Sequence, residues 1–164
     1  MGGRHILGTL LARPLAVLLI LLALSSAVAA CGGSDRLSAE EYRAELASLN
    51  KGQEKPHTDV EKAFSATSVA EMRTLFTRFA DSQDALGDDV AALKPPKDAE
   101  SANADLVSGA HAFADNIRAL VTALSDVTSP KAALKIINQR GANASKPLDD
   151  ALDKLMKLGY AQGG

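Results

Sequence analysis

Tryptophan is missing from this 164-residue chain, aromatic residues make up 4% of it, and there is a single cysteine. One cysteine excludes an intrachain disulfide, and a lone thiol in an exported chain needs its own explanation. So few aromatics leave a core of Leu, Ala, Val, Ile and a few Phe, a palette that suits packed helices better than sheets. No alternating strand pattern, hairpin signal or internal repeat is present. Nucleophile-elbow, phosphate-loop and dinucleotide fingerprints are also missing. Positive charge is not in excess either: the whole chain carries a formal charge of −2. That argues against a nucleic-acid partner.

What is present begins with one apolar run. Arg4 and Arg13 precede it, every residue from Leu15 to Leu24 is apolar, and Ser25, Ser26 and small residues lead to Cys31. Charged, apolar and then small is the order of a secretory signal. The run is shorter than the roughly 20 residues that a membrane-spanning helix needs. Val28-Ala29-Ala30-Cys31 resembles the lipobox of bacterial lipoproteins. That resemblance implies diacylglycerol on the Cys31 sulfur through a thioether. It also implies cleavage before Cys31, with Val28, Ala29 and Ala30 read by the signal peptidase. Two or three acyl chains bury methylenes at about 0.8 kcal/mol each, which gives stable anchoring. The expected location is the extracytoplasmic face of the cell membrane.

Cleavage removes residues 1–30 and leaves 134, the size of one domain. Residues 31–37 read as a lipidated tether, 38–160 as a four-helix domain and 161–164 as a frayed end. The mature part holds 16 Lys and Arg against 20 Asp and Glu, a balance of −4.

Helix one starts at Ser38, where Ser38 and Glu41 have the spacing of a capping box. Tyr42, Leu46, Leu49, Val60 and Phe64 form its apolar side, and a kink or break is expected near Pro56. Ser68 and Glu71 repeat the box before helix two, whose stripe is Met72, Leu75, Phe76, Phe79, Leu86, Val90 and Leu93. Pro95-Pro96 stops it. Helix three, from about Asp98, buries Leu106, Ala110, Phe113, Ile117, Leu120, Val121 and Leu124. Ser129-Pro130 starts helix four, which carries Leu134, Ile137, Leu148, Leu152, Leu155 and Met156. Gly141 and Pro147 interrupt it, and Gly159 reads as its C-terminal cap. Four arms of similar length with short turns predict an all-α, antiparallel up-down four-helix bundle.

Leu37-Ser38-Ala39-Glu40-Glu41-Tyr42, Leu93-Lys94-Pro95-Pro96 and Leu158-Gly159-Tyr160 are similar to segments of a group of uncharacterised lipoproteins of high-GC Gram-positive and related bacteria. The resemblance implies a helical fold and an envelope location. It implies no activity and no cofactor.

Candidate chemistry is sparse. His57 and Glu61, and His111 and Asp115, are spaced to share a helix face, so a metal or ligand site between His57 and His111 is conceivable. An offset of about 8 Å along the helices stands against it. Met72 and Met156 lie on apolar stripes and read as core. Asp88-Asp89 and Asp149-Asp150 are neighbours that point apart and read as solvated faces. Topology gathers Arg36, Lys94, Lys97, Lys154 and Lys157 at the tethered pole, where they would face anionic headgroups. The reading that results is a non-enzymatic, lipid-anchored interaction or scaffold module with an envelope protein as partner. The alternative is a receptor that holds a ligand or metal in the bundle interior.

Overall fold

The computed structural model describes residues 35–161. The lipobox, Cys31 and residues 162–164 lie outside them. The fold is an all-α bundle of four arms, two of them broken. Arm one comprises α1 (Ala39–Gly52) and α2 (Glu54–Ser65), and arm two is α3 (Val69–Ala92). A 3-10 turn, Lys97–Ala99, leads into α4 (Glu100–Ala123). Arm four comprises α5 (Pro130–Arg140), a 3-10 turn at Gly141–Asn143 and α6 (Lys146–Lys157). Among the described residues, no helix is long and apolar enough to cross a membrane.

The helix starts follow local chemistry. Both halves of the capping box form at α1: Ser38 N–H donates to Glu41 Oε2 at 2.8 Å, and Glu41 N–H donates to Ser38 Oγ at 3.3 Å. Ser68 accepts from Glu71 N–H at 3.2 Å and Ser129 from Ala132 N–H at 3.3 Å. These satisfy amides that the first turn leaves free. At the chain's other end, Gly159 has φ 77°. Gly159 N–H donates to Met156 O and Tyr160 N–H to Leu155 O, both at 2.9 Å. That crossed pair is a Schellman cap, and its left-handed residue is most easily glycine.

The break in arm one falls at Gln53, three residues before Pro56. Pro56 occupies the first turn of α2, where no amide is required, and its ring would collide with the carbonyl four residues back in a continuous helix. Arm four breaks the same way, with Pro147 in the first turn of α6.

The two breaks lie at one level, and the core divides there. A distal cluster holds Val60, Ala63, Met72, Leu75, Phe76, Phe79, Ile117, Leu120, Leu124, Ala133 and Ile137. A second cluster lies on the side of the chain start, termed anchor-side only for the expected lipid at Cys31, and holds Tyr42, Val90, Ala99, Ala102, Leu106, Ala151, Leu155 and Tyr160. Between them runs a polar layer. Gln83, 3% exposed, donates from Nε2 to Gln53 Oε1 at 2.9 Å. Asn116 Nδ2 donates to Ala144 O at 2.9 Å. Two helices also approach closely here. A Cβ on Gly109 would meet Pro147 O at 2.7 Å and Leu148 Cα at 3.0 Å, so α6 begins directly against the α4 backbone.

Candidate functional site

The pole from which the chain emerges is the natural place to look for function, and its residues come from four separate segments. Leu37 N–H donates to Lys94 O at 2.8 Å, tying the chain start to the turn between α3 and α4. Arg36 Nη1 donates to Pro95 O at 3.2 Å, and the same guanidinium is ion-paired with Glu100. Asp35–Leu37 therefore belongs to the folded body rather than to a free tether. Only residues 32–34 separate Asp35 from Cys31, a reach of about 14 Å over four residue steps at full extension.

The C-terminal segment closes the same pole. Tyr42 and Tyr160, the chain's two tyrosines, meet edge to face with centroids 5.2 Å apart. Arg43 Nε donates to Gly159 O at 2.8 Å, and its guanidinium carbon lies 5.5 Å from the Tyr160 ring centre. Tyr160 OH donates to Asp98 Oδ1 at 2.9 Å. Tyr42, fully buried, donates its hydroxyl to Asn103 Oδ1 at 2.9 Å, and Asn103 Nδ2 donates to Val90 O at 3.3 Å. Burial pushes the Tyr42 hydroxyl up to about 12. Burial and the Asp98 carboxylate raise Tyr160 as well.

All five cations expected at this pole lie on its segments, but in a mixed field. Lys94 Nζ is 3.5 Å from Asp35, Lys154 Nζ is 2.8 Å from Asp105, and Arg36 holds Glu100. Lys97 and Lys157 have no ion-pair partner among the described residues.

The two histidines have separate surroundings. His57, half-buried on α2, packs its ring on Phe79 with centroids 6.1 Å apart. Burial holds its pKa below the usual histidine value, and nearby Glu61 opposes this weakly. His111 on α4 turns to α3: Nδ1 lies 3.0 Å from Asp84 Oδ1 and Nε2 3.7 Å from Asp88 Oδ1. Its ring covers Gly87, where an added Cβ would come within 2.8 Å of it. Asp115, the expected helical neighbour of His111, lies 3.5 Å from Arg118 instead. Arg118 also takes Asp81 at 3.0 Å and Asp84. Its guanidinium and then His111 hold the Asp84 carboxyl below the ordinary range.

The α3 contacts of the two histidines are five to nine residues apart, roughly 8–13 Å along the helix. Among the described residues, no three His, Cys, Asp or Glu side chains gather as a metal site. Met72 is fully buried in the distal core. Asp88, Asp89, Asp149 and Asp150 are exposed.

Sequence reasoning missed the tyrosine clasp and the Asp84–His111–Arg118 seam. The clasp had a signal, because the two tyrosines stand beside the first and last caps of the domain. The seam joins residues 27 and more apart across two helices, and no spacing rule reports that. Compared with protein-family models, curated proteins and solved structures, the chain matches none.

Proposed function

We propose that this chain is a lipid-anchored lipoprotein of the bacterial envelope, a non-enzymatic helical module held near the outer face of the cell membrane to bind an envelope partner. The observation that carries the reading is Val28-Ala29-Ala30-Cys31 closing a signal of the right order. The short distance from Cys31 to the pinned Asp35–Leu37 segment supports it, since a thioether-linked lipid would then hold the bundle by one defined pole. Interior chemistry gives less support to a receptor. Among the described residues the buried polar side chains are already partnered, Gln83 by Gln53 and Asn103 by Tyr42 and Val90, and the histidines face different partners.

Metabolic labelling with an alkynyl fatty acid tests the anchor. The mature protein takes up label, and Cys31→Ser yields an unlabelled, unprocessed precursor. An unlabelled mature product, or a Cys31→Ser chain processed and retained like the parent, overturns the reading. Crosslinking in intact membranes then identifies the partner.

A further inference from the structure

The helices do not share burial evenly. Helix α1 has fourteen residues, of which nine are exposed and Tyr42 alone is buried. Helices α3 and α4 bury nine and eight residues. From Arg43 to Gly52 no residue of α1 is buried, and Leu46 and Leu49 lie half-buried against the second cluster. The polar fastenings of α1 to the body sit at its two ends. Tyr42 bonds to Asn103 and Arg43 to Gly159 at one end, and Gln53 accepts from Gln83 just past the other. Among the described residues, no ion pair or side-chain hydrogen bond joins residues 44–52 to another helix.

What lies beyond α1 is held without it. Helix α2 buries Val60 and Ala63 in the distal cluster, and Phe64 meets Phe76 edge to face. Apart from Tyr42, the buried members of the second cluster, Val90, Leu106 and Leu155 among them, all lie on other segments. The junction between α1 and α2 is free to turn. Gly52 is exposed, with nothing within 4 Å of an added Cβ. Pro56, in the first turn of α2, has no amide with which to carry helix bonding across the junction.

We propose that α1 is a releasable strap, which peels from the body as one unit about Gly52–Gln53 and becomes part of the tether. Few buried contacts and solvent-exposed backbone bonds place a segment at the low end of local stability. Tyr42 is the latch, the one side chain that α1 sinks into the core. Once it leaves, a helix of this length is marginal in water and melts. The chain from Cys31 to Gln53 then reaches at most about 75 Å, against about 14 Å from Cys31 to Asp35 in the closed form. The use of that length, which lets the body stand off from the membrane towards a partner, rests on the anchor reading above. The release itself does not.

Two measurements on the mature chain, residues 31–164 without lipid, test the release. In native-state hydrogen exchange, the amides from Leu46 to Asn50 share one opening, at least about a hundredfold more frequent than that of Leu75–Phe79 in α3. Tyr42→Ala speeds them by about tenfold more and leaves Leu75–Phe79 within about twofold. In the second, the chain is pulled between the Cys31 thiol and a thiol placed at the distal end by Thr128→Cys. It yields first by about 40 Å, the extended length of residues 35–53 less the span of α1. Tyr42→Ala lowers the force of that step or abolishes it. The proposal is overturned if the α1 amides are protected like those of Leu75–Phe79, if the bundle extends in a single event, or if Tyr42→Ala changes neither readout. Should Tyr42→Ala fail to fold, the parent's exchange and first step decide alone. Fatty-acid labelling that finds no lipid on Cys31 would end the tether role and leave the strap standing. Labelled protein whose α1 shows neither the opening nor the step would end the strap and leave the anchor.

Discussion

The two halves of the bundle are closed by different chemistry. The distal half is held by apolar and aromatic contacts: Phe64 on Phe76 at 5.9 Å, and Phe79 on Phe113 at 5.6 Å. The anchor-side half is fastened by directed bonds between distant parts of the chain: Leu37 to Lys94, Arg43 to Gly159, Tyr42 to Asn103, Tyr160 to Asp98 and Lys154 to Asp105. Apolar packing is non-directional and tolerates sliding, whereas hydrogen bonds fix a register. The difference suits the two ends. The pole that carries Asp35–Leu37 and Tyr160 keeps both ends of the described chain in fixed places, and the distal end is a packed apolar body.

The comparison breaks most readily at the two cores. Phe79 is 5% exposed, between the rings of His57 and Phe113. Phe79→Ala costs about 3–5 kcal/mol in chemical denaturation, the usual loss for a buried aromatic. If the polar layer separates two folding units, hydrogen exchange in that variant speeds up in α2 and α5 before it does around Tyr42. Equal acceleration everywhere makes the bundle one cooperative unit and erases the distinction.

Next in size is the layer where the halves meet. Gly109→Val puts carbon against the Pro147 carbonyl, which is backbone and cannot rotate away. The α4–α6 approach must open, at a cost of about 2–3 kcal/mol. Gly52→Ala is the control, because nothing lies within 4 Å of its added Cβ. It raises stability by up to about 1 kcal/mol. A destabilised Gly52→Ala, or a neutral Gly109→Val, would show that helix spacing is not what these glycines set.

Tyr42→Phe is milder. It removes one hydroxyl and leaves Asn103 Oδ1 buried without its donor, a loss of about 1–2 kcal/mol. The effect is local to the anchor-side half, so amides near Asn103 and Tyr160 exchange faster while α2 does not change.

Much of this fold could be read from the chain, and the part that could not has a physical cause. Ser38, Ser68 and Ser129 mark three helix starts, Gly159 marks the last end, and the stripes on arms two and three are the buried faces. Such signals are local, set within one turn of backbone. The division into two cores is not local. Met72 to Leu93 reads as one unbroken stripe, and only Gln83 and Gly87 on it mark the polar layer. Pro56 and Pro147 indicated broken arms, but that both breaks share a level depends on how the arms pack. The five cations of the pole are visible in the sequence, whereas the pairing of three of them, Lys94 with Asp35, Arg36 with Glu100 and Lys154 with Asp105, depends on segments distant in the chain packing together.

The smallest effect separates the halves by pH. His57 belongs to the distal half, and burial holds its folded-state pKa below the unfolded value of about 6.5. Its contribution is whole above that pH and is lost as pH falls through the folded value, because the unfolded chain takes up the proton first. Tyr42 belongs to the anchor-side half and moves the other way. Its folded value is about 12, above the unfolded value of about 10. Its contribution is whole below pH 10 and is lost as pH rises towards the folded value. Mild acid should therefore loosen the distal half first, and alkali the anchor-side half. Exchange or limited proteolysis at pH 5.5 and at pH 11 reads both. His57→Gln removes the acid response without touching the alkaline one, and Tyr42→Phe does the reverse. If either variant abolished both responses, the two ends would be coupled through the polar layer, and Gln53–Gln83 would be the first bond to test.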